Sequence, residues 1–173
     1  SALSRAVYNY NNRYFLTATG RYDGSSRFAP GNKFGFFSSF AAAWKISNEK
    51  FFSSINAISD LKLRLGWGQT GVQSIAPYQT RSLYNANTYP LPGGSLSNGQ
   101  IPARIANEDL TWETSEQANI GLDLAVLKNR VKFNLDFYNK KSVDLLQNFR
   151  IAPSNGFLSL ARNFGTIENK GFD

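Results

Sequence analysis

Glu113 and Glu116 are the first residues whose type and spacing invite a chemical reading. Glycoside hydrolysis uses two carboxylates, one as acid and the other as base or nucleophile. Three residues apart on a strand, however, these two face opposite sides and share no site. The stretch Asn107 to Trp112, NEDLTW, has the outline of a sialidase aspartate box, but the required Ser and Gly positions fail. Gly20, Asp23 and Gly24 offer too few oxygen ligands for calcium and lack EF-hand spacing. Cys and His are both absent, which removes thiolate nucleophiles, imidazole bases, disulfides and Cys/His metal sites. We therefore expect no catalysis, no metal and no cofactor. What remains is a set of polar residues at alternate positions. These are Thr17, Thr19 and Arg21, then Lys62 and Arg64, then Asn119 and Asp123, then Lys132, Asn134 and Asp136. Their common feature is a period of two, and a period of two belongs to strands.

The strands that must position them are long and two-faced. From Tyr14 to Tyr22, Tyr14, Leu16, Ala18 and Tyr22 oppose Phe15, Thr17, Thr19 and Arg21. From Phe34 to Ile46, Phe34, Phe36, Phe40, Ala42 and Trp44 oppose Gly35, Ser39, Ala41, Ala43 and Lys45, with Phe37 the exception. Asp60 to Gly68 sets Leu61, Leu63, Leu65 and Trp67 against Lys62, Arg64, Gly66 and Gly68. Ala118, Ile120, Leu122 and Leu124 oppose Gln117, Asn119, Gly121 and Asp123. Val131, Phe133, Leu135 and Phe137 oppose Lys132, Asn134, Asp136 and Tyr138. The register follows from keeping the apolar faces together. A three-residue turn at Asn11 to Arg13 pairs Tyr10 with Tyr14 and Tyr8 with Leu16. A turn at Lys128–Asn129 pairs Leu122 with Leu135 and Asp123 with Asn134, leaving Lys132 and Asp136 as diagonal neighbours of Asp123.

Connections alternate in length. The links near Asn11, over residues 47–58 and near Asn129 are compact. Those near Ser25, over 70–110 and near Pro153 are long. Ser47 is expected to cap a short helical turn over Asn48 to Ala57. Residues 70–110 carry Pro and Gly clusters and no clear period, with a short strand possible near Tyr78 to Tyr84. A single last strand is expected from Ser159 to Phe172. Short turns at one end and long loops at the other are the asymmetry of outer-membrane barrels.

Composition agrees. Of the 173 residues, 42% are hydrophobic and 14% aromatic, so the chain is neither disordered nor helix-biased. No apolar run reaches the length of a transmembrane helix, which says nothing against a barrel. The net charge of +7 is spread along the chain with Lys140–Lys141 its only adjacent basic pair, so nucleic acid is not expected as a partner. Loop cations could instead meet lipopolysaccharide phosphates. The absence of Met and of a signal peptide leads us to expect an interior piece of a longer protein.

Three ordered blocks, GRYDGSSRF (Gly20 to Phe28), NKFGFFSSFAAAWKISNEKFF (Asn32 to Phe52) and LKLRLGWGQTG (Leu61 to Gly71), resemble the C-terminal barrel region of the SusC/RagA family of TonB-linked outer-membrane proteins. LTWETSEQANIGLDL (Leu110 to Leu124), FYNKKSVDLL (Phe137 to Leu146) and NFGTIENKGFD (Asn163 to Asp173) extend the resemblance over nearly all of the chain except 72–109. The chain departs from the family at Ser38, where Pro is frequent, and at Val72, where Asn is.

The resemblance implies an all-β, antiparallel, up-and-down transmembrane barrel of about 22 strands, of which about seven are present here. Residues 1–173 would be one part of that barrel, without the plug domain or the N-terminal region. The resemblance also implies active uptake of oligosaccharide or peptide across the outer membrane of a Gram-negative bacterium, driven by the TonB complex and assisted by a SusD-like surface lipoprotein. On that reading the polar positions named above face the lumen and the apolar ones face lipid. Trp44 and Trp67 fall in aromatic girdles. Tyr78, Tyr84, Tyr89 and Trp112 either contact substrate from the long loops or pack those loops. Two other readings stay open: a self-contained small barrel or soluble carbohydrate-binding sandwich, and a receptor for signalling.

Overall fold

The computed structural model describes residues 1–52, 55 and 57–173. Seven strands form one antiparallel sheet in the order β1 (Ala2–Tyr10), β2 (Tyr14–Gly24), β3 (Phe34–Lys45), β4 (Ile58–Val72), β7 (Glu113–Val126), β8 (Val131–Val143) and β11 (Thr166–Phe172). Each follows its chain neighbour except where two outlying hairpins intervene. One is β5 (Leu83–Pro90) with β6 (Leu96–Arg104), and the other is β9 (Leu146–Arg150) with β10 (Ser159–Asn163). This is a meander that does not close on itself.

The expected registers hold. Tyr10 pairs with Tyr14 and Tyr8 with Leu16. Leu122 pairs with Leu135 and Asp123 with Asn134. The turns are short because their residues accept left-handed backbone. Asn11 and Asn12 have φ of 50° and 52°, and Leu127, Lys128 and Asn129 lie between 53° and 66°. Asn tolerates that region better than most residues.

Five local expectations are corrected. Residues 70–110 are not a structureless loop: β4 runs to Val72, and β5 and β6 form a hairpin beyond it. The strand expected at Tyr78 to Tyr84 is instead a turn up to Thr80, because Pro77 and a left-handed Tyr78 (φ 61°) break extension there. The helical turn expected over 48–57 is, among the described residues, two short 3-10 turns, Ile46–Asn48 and Lys50–Phe52, the first of which starts two residues earlier. Ser53, Ser54 and Asn56 of that expected turn lie outside the described residues. Ser47 is not a cap, since its hydroxyl donates to Asp60 Oδ1 rather than to a turn amide. The last strand divides at Phe164–Gly165, where Gly165 has φ of 90°. Ser159–Asn163 pairs with β9 and Thr166–Phe172 with β8.

Phe37, the residue that broke the apolar pattern of β3, has a packing reason. β3 and β4 pair only as far as Ser39↔Gly68 and then part. The Phe37 ring fills the gap, where it is 6% exposed, and occupies the space a side chain on Gly71 would need. Trp112 packs edge-on against it at 5.7 Å between ring centroids. In the full-length protein, Gly71→Val should cost about 1–3 kcal/mol by overpacking. Adding Phe37→Leu should return part of that loss, measured as the urea midpoint of the folded barrel.

Candidate functional site: two faces and a loop cap

The register sorts side chains onto two faces. One row of the first face runs Tyr14, Trp44, Leu63, Leu122, Leu135 across five strands, and the next runs Leu16, Ala42, Leu65, Ile120, Phe137, Phe172. On this face Phe36 is 65% accessible, Phe40 56% and Leu135 61%, while Trp44, Leu63 and Leu122 are half-buried. They touch one another across strands. Tyr14 stacks on Trp44 at 6.2 Å, Phe40 on Trp67 at 6.0 Å, and Tyr22 on Phe34 at 5.3 Å.

The opposite face carries the polar residues. Arg64, Gly121 and Asp136 are neighbours in one row. Gly121 has no side chain, so Arg64 lies across β7 to reach β8. Its Nη2 donates to Asp136 Oδ2 at 2.8 Å and to Asp123 Oδ1 at 2.9 Å, and its Nε donates to Asp123 Oδ2 at 3.0 Å. Any Cβ on Gly121 would meet the guanidinium and the Asp136 carboxylate. A bidentate guanidinium shared by two carboxylates is fixed in plane and direction. Asn119 fills the space over Gly66 in the same manner. Lys62 lies over the Phe15 ring at 5.6 Å, and Arg21 Nε is 2.7 Å from Asp23 Oδ2 while its guanidinium faces the Phe37 ring. Thr17 and Thr19 line a shallow polar groove with Arg5, Ser39 and Gln117. Lys132 and Asn134 are exposed and stand apart from the arginine network: the diagonal partner of Asp123 is Asp136 through Arg64, with no ion pair from Lys132 among the described residues.

The ends differ. At the short-turn end, Glu49 accepts hydrogen bonds from Tyr14 Oη at 2.8 Å and Trp44 Nε1 at 3.1 Å, and its other oxygen lies 3.3 Å from Arg13 Nη1. The Tyr14 and Trp44 hydrogen bonds, and then the Arg13 charge, hold the Glu49 carboxyl below the usual range. At the other end the three long connections, residues 25–33, 73–112 and 144–165, fold together. Phe28, Ile75 and Leu110 form a buried cluster there, with Trp112, Leu146 and Ala161 against it. Asn163 staples the cap, accepting from the Thr111 amide and donating to the carbonyls of Thr111 and Asp144. Trp112 is part of this packing, its ring 5.1 Å from that of Phe28, whereas Tyr78, Tyr84 and Tyr89 are exposed. No sequence pattern marks the cap core, because Phe28, Ile75 and Leu110 come from two connections without periodicity.

A meander with one apolar face, one polar face and its two longest connections, 73–112 and 144–165, at one end is a segment of an outer-membrane-type β-barrel. The chain belongs to the TonB dependent receptor-like β-barrel family, whose model matches residues 4–173. TonB-dependent receptor P26 of Formosa agariphila is 41% identical over 174 residues, covering 100% of this chain and 17% of that protein. TonB-dependent receptor SusC of Bacteroides thetaiotaomicron is 38% identical over 177 residues, covering 100% of this chain and 18% of SusC. The chain thus spans less than a fifth of these relatives. The RagAB peptide importer in its closed-closed state matches 99% of this chain and 18% of its own with 32% identity and a TM-score of 0.88. The open-open state matches 98% of this chain and 18% of its own with 31% identity and a TM-score of 0.87.

Two outcomes follow for the full-length protein. Arg64→Met should leave two facing aspartates unpaired and cost about 1–3 kcal/mol, and the triple variant with Asp123→Asn and Asp136→Asn should recover most of it. The Glu49 carboxyl is depressed, so its stabilisation is present above the ordinary glutamate range and is lost as pH falls through its lowered value. Wild type should therefore lose stability below about pH 4.3, while Glu49→Gln should be weaker at neutral pH and flatter over that acid range, read by thermal unfolding against pH.

Proposed function

We propose that this chain is part of the barrel wall of a TonB-driven outer-membrane importer, with the apolar face against lipid and the polar face toward the lumen. The observation that carries the membrane orientation is the apolar band and its polar margin. On β3 the band runs from Phe34 to Trp44, on β4 from Leu61 to Trp67, on β7 from Ala118 to Leu124 and on β8 from Val131 to Phe137. Toward the cap the same face turns polar, at Gln69 on β4, Glu116 on β7, Asn139 on β8 and Lys170 on β11. Bilayer-spanning strands tilt by about 45°. At that tilt the stretch from Phe34 to Trp44 rises about 24 Å, close to the apolar height of such barrels of about 25 Å.

On this reading Thr17, Thr19, Arg21, Lys62, Arg64, Asn119, Asp123, Lys132, Asn134 and Asp136 line the lumen wall. Arg64 with its two aspartates presents a fixed, nearly charge-balanced surface there. The loop cap is extracellular, and Tyr78, Tyr84 and Tyr89 offer rings to cargo or to a SusD-like lipoprotein lid. Cargo of the glycan or peptide class is supported by SusC and by the RagAB peptide importer as relatives. The near-equal match to closed-closed and open-open RagAB supports a wall that stays fixed while other parts move.

Leu63 and Leu122 are direct partners on the apolar face. Lys at either position in the full-length protein should cost about 2–4 kcal/mol if near the midplane and lower the amount of folded protein in the outer membrane. Thr17→Lys, on the other face, should assemble normally and support growth on the imported nutrient. Normal assembly of both leucine variants would overturn the orientation.

A further inference from the structure

We infer that the cap holds a binding site for an acidic saccharide unit, one bearing carboxylate or sulfate, in the cleft between residues 25–33 and 77–81. The inference rests on the import reading above and names the cargo chemistry for one site in it. The cleft has a volume of about 310 Å³, and Arg27, Lys33 and Arg81 line it together with Glu108. None of these three cations is in an ion pair among the described residues. Arg64, by contrast, is neutralised by Asp123 and Asp136. Three cations converging on one concavity with one carboxylate leave an uncompensated positive field, and a concave wall concentrates it.

The site is built rather than incidental. Arg27 Nη1 donates to the carbonyls of Ile75 at 2.7 Å and Gln73 at 3.2 Å, which ties the two loops together and fixes the guanidinium. The cleft floor is Phe28, 2% exposed, which belongs to the buried cap cluster. Tyr78 lines the same cleft, 64% exposed and held at φ 61°, a conformation uncommon outside glycine that recurs at functional loops.

The surroundings favour a sugar over a peptide. Extended peptides are recognised by adding to a strand edge. The cleft is bounded by turns on both sides and offers no such edge. A peptide would also bring an ammonium group into a field already positive. A saccharide brings a flat C–H face for Tyr78 and hydroxyls that donate and accept, and its acidic substituent meets the cations through charge-assisted hydrogen bonds.

The test uses the purified full-length protein in detergent and three probes: a uronic-acid tetrasaccharide, its carboxyl-reduced neutral counterpart, and a tetraglutamate peptide. The uronic tetrasaccharide should bind at least about tenfold more tightly than either of the others, and added salt should weaken it. Arg81→Ala and Lys33→Ala, whose side chains make no hydrogen bond that holds the cap, should each weaken it about five- to tenfold. Both variants should keep the wild-type unfolding midpoint. Equal affinity for the neutral sugar, equal affinity for the peptide, or binding unchanged in both variants would each overturn the assignment. Nutrient uptake by cells is measured separately. Uptake that persists with no preference for the acidic sugar sinks the site but leaves the importer, whereas loss of all TonB-dependent uptake sinks the importer.

Discussion

Every side chain on this sheet is allotted to one of two environments by a ladder of backbone hydrogen bonds that cannot slip by a single residue. A one-residue shift would exchange the faces, placing Phe40 and Leu65 where Thr17 and Arg64 stand. The alternation is kept through the five strands β2, β3, β4, β7 and β8, and the row Tyr14–Trp44–Leu63–Leu122–Leu135 crosses them without a break. The same ladder pairs backbone groups between neighbouring strands, and such pairing, completed by closure, is the condition for a chain to lie in hydrocarbon. The sheet therefore needs no core of its own. On the barrel-wall reading proposed above, its exposed apolar residues meet the bilayer, and the buried cluster Phe28, Ile75 and Leu110 lies in the loops rather than on the sheet.

That division explains how the polar face is furnished. Residues there cannot rely on apolar burial, so they hold their places by charge and by shape. Arg64 spans two strand spacings only because Gly121 leaves its path clear. Phe37 shows the complementary case. Where β3 and β4 separate, a gap in the wall would open beneath the cap, and a ring seated over Gly71 and against Trp112 closes it. Wall and cap are thereby joined through packed aromatic contacts from Phe37 to Trp112 to Phe28.

The wall was legible from the sequence because its signal is local. Alternation from Leu61 to Trp67 or from Val131 to Phe137 is visible in seven residues, and the turn at Asn11 to Arg13 fixes which residues pair. The cap was not legible for the opposite reason. Phe28, Ile75 and Leu110 lie 35 to 82 residues apart, and nothing in their neighbourhoods has a period. The hairpin β5–β6 was hidden by its composition, since Asn, Thr, Pro and Gly weaken the strand signal. Arg64, Asp123 and Asp136 were each placed on the polar face, but their meeting depends on the β4–β7 pairing across a 40-residue insertion, which no local pattern encodes. Ser47 followed the N-cap rule in type only; Asp60, brought close by β4, competes for its hydroxyl and wins.

A preformed cap changes how selectivity can arise. Loops of this length often order only on binding, and the ordering cost then subtracts from affinity. Here Leu110 is 0% exposed, Asn163 ties together residues 111, 144 and 163, and Arg27 ties residue 27 to 73 and 75. On the importer reading proposed above, the frame is set before cargo arrives, so discrimination falls to the exposed side chains it carries, such as Tyr78 and Arg81. Relatives with the same wall could then differ in cargo by changing those few positions without disturbing a single strand pairing.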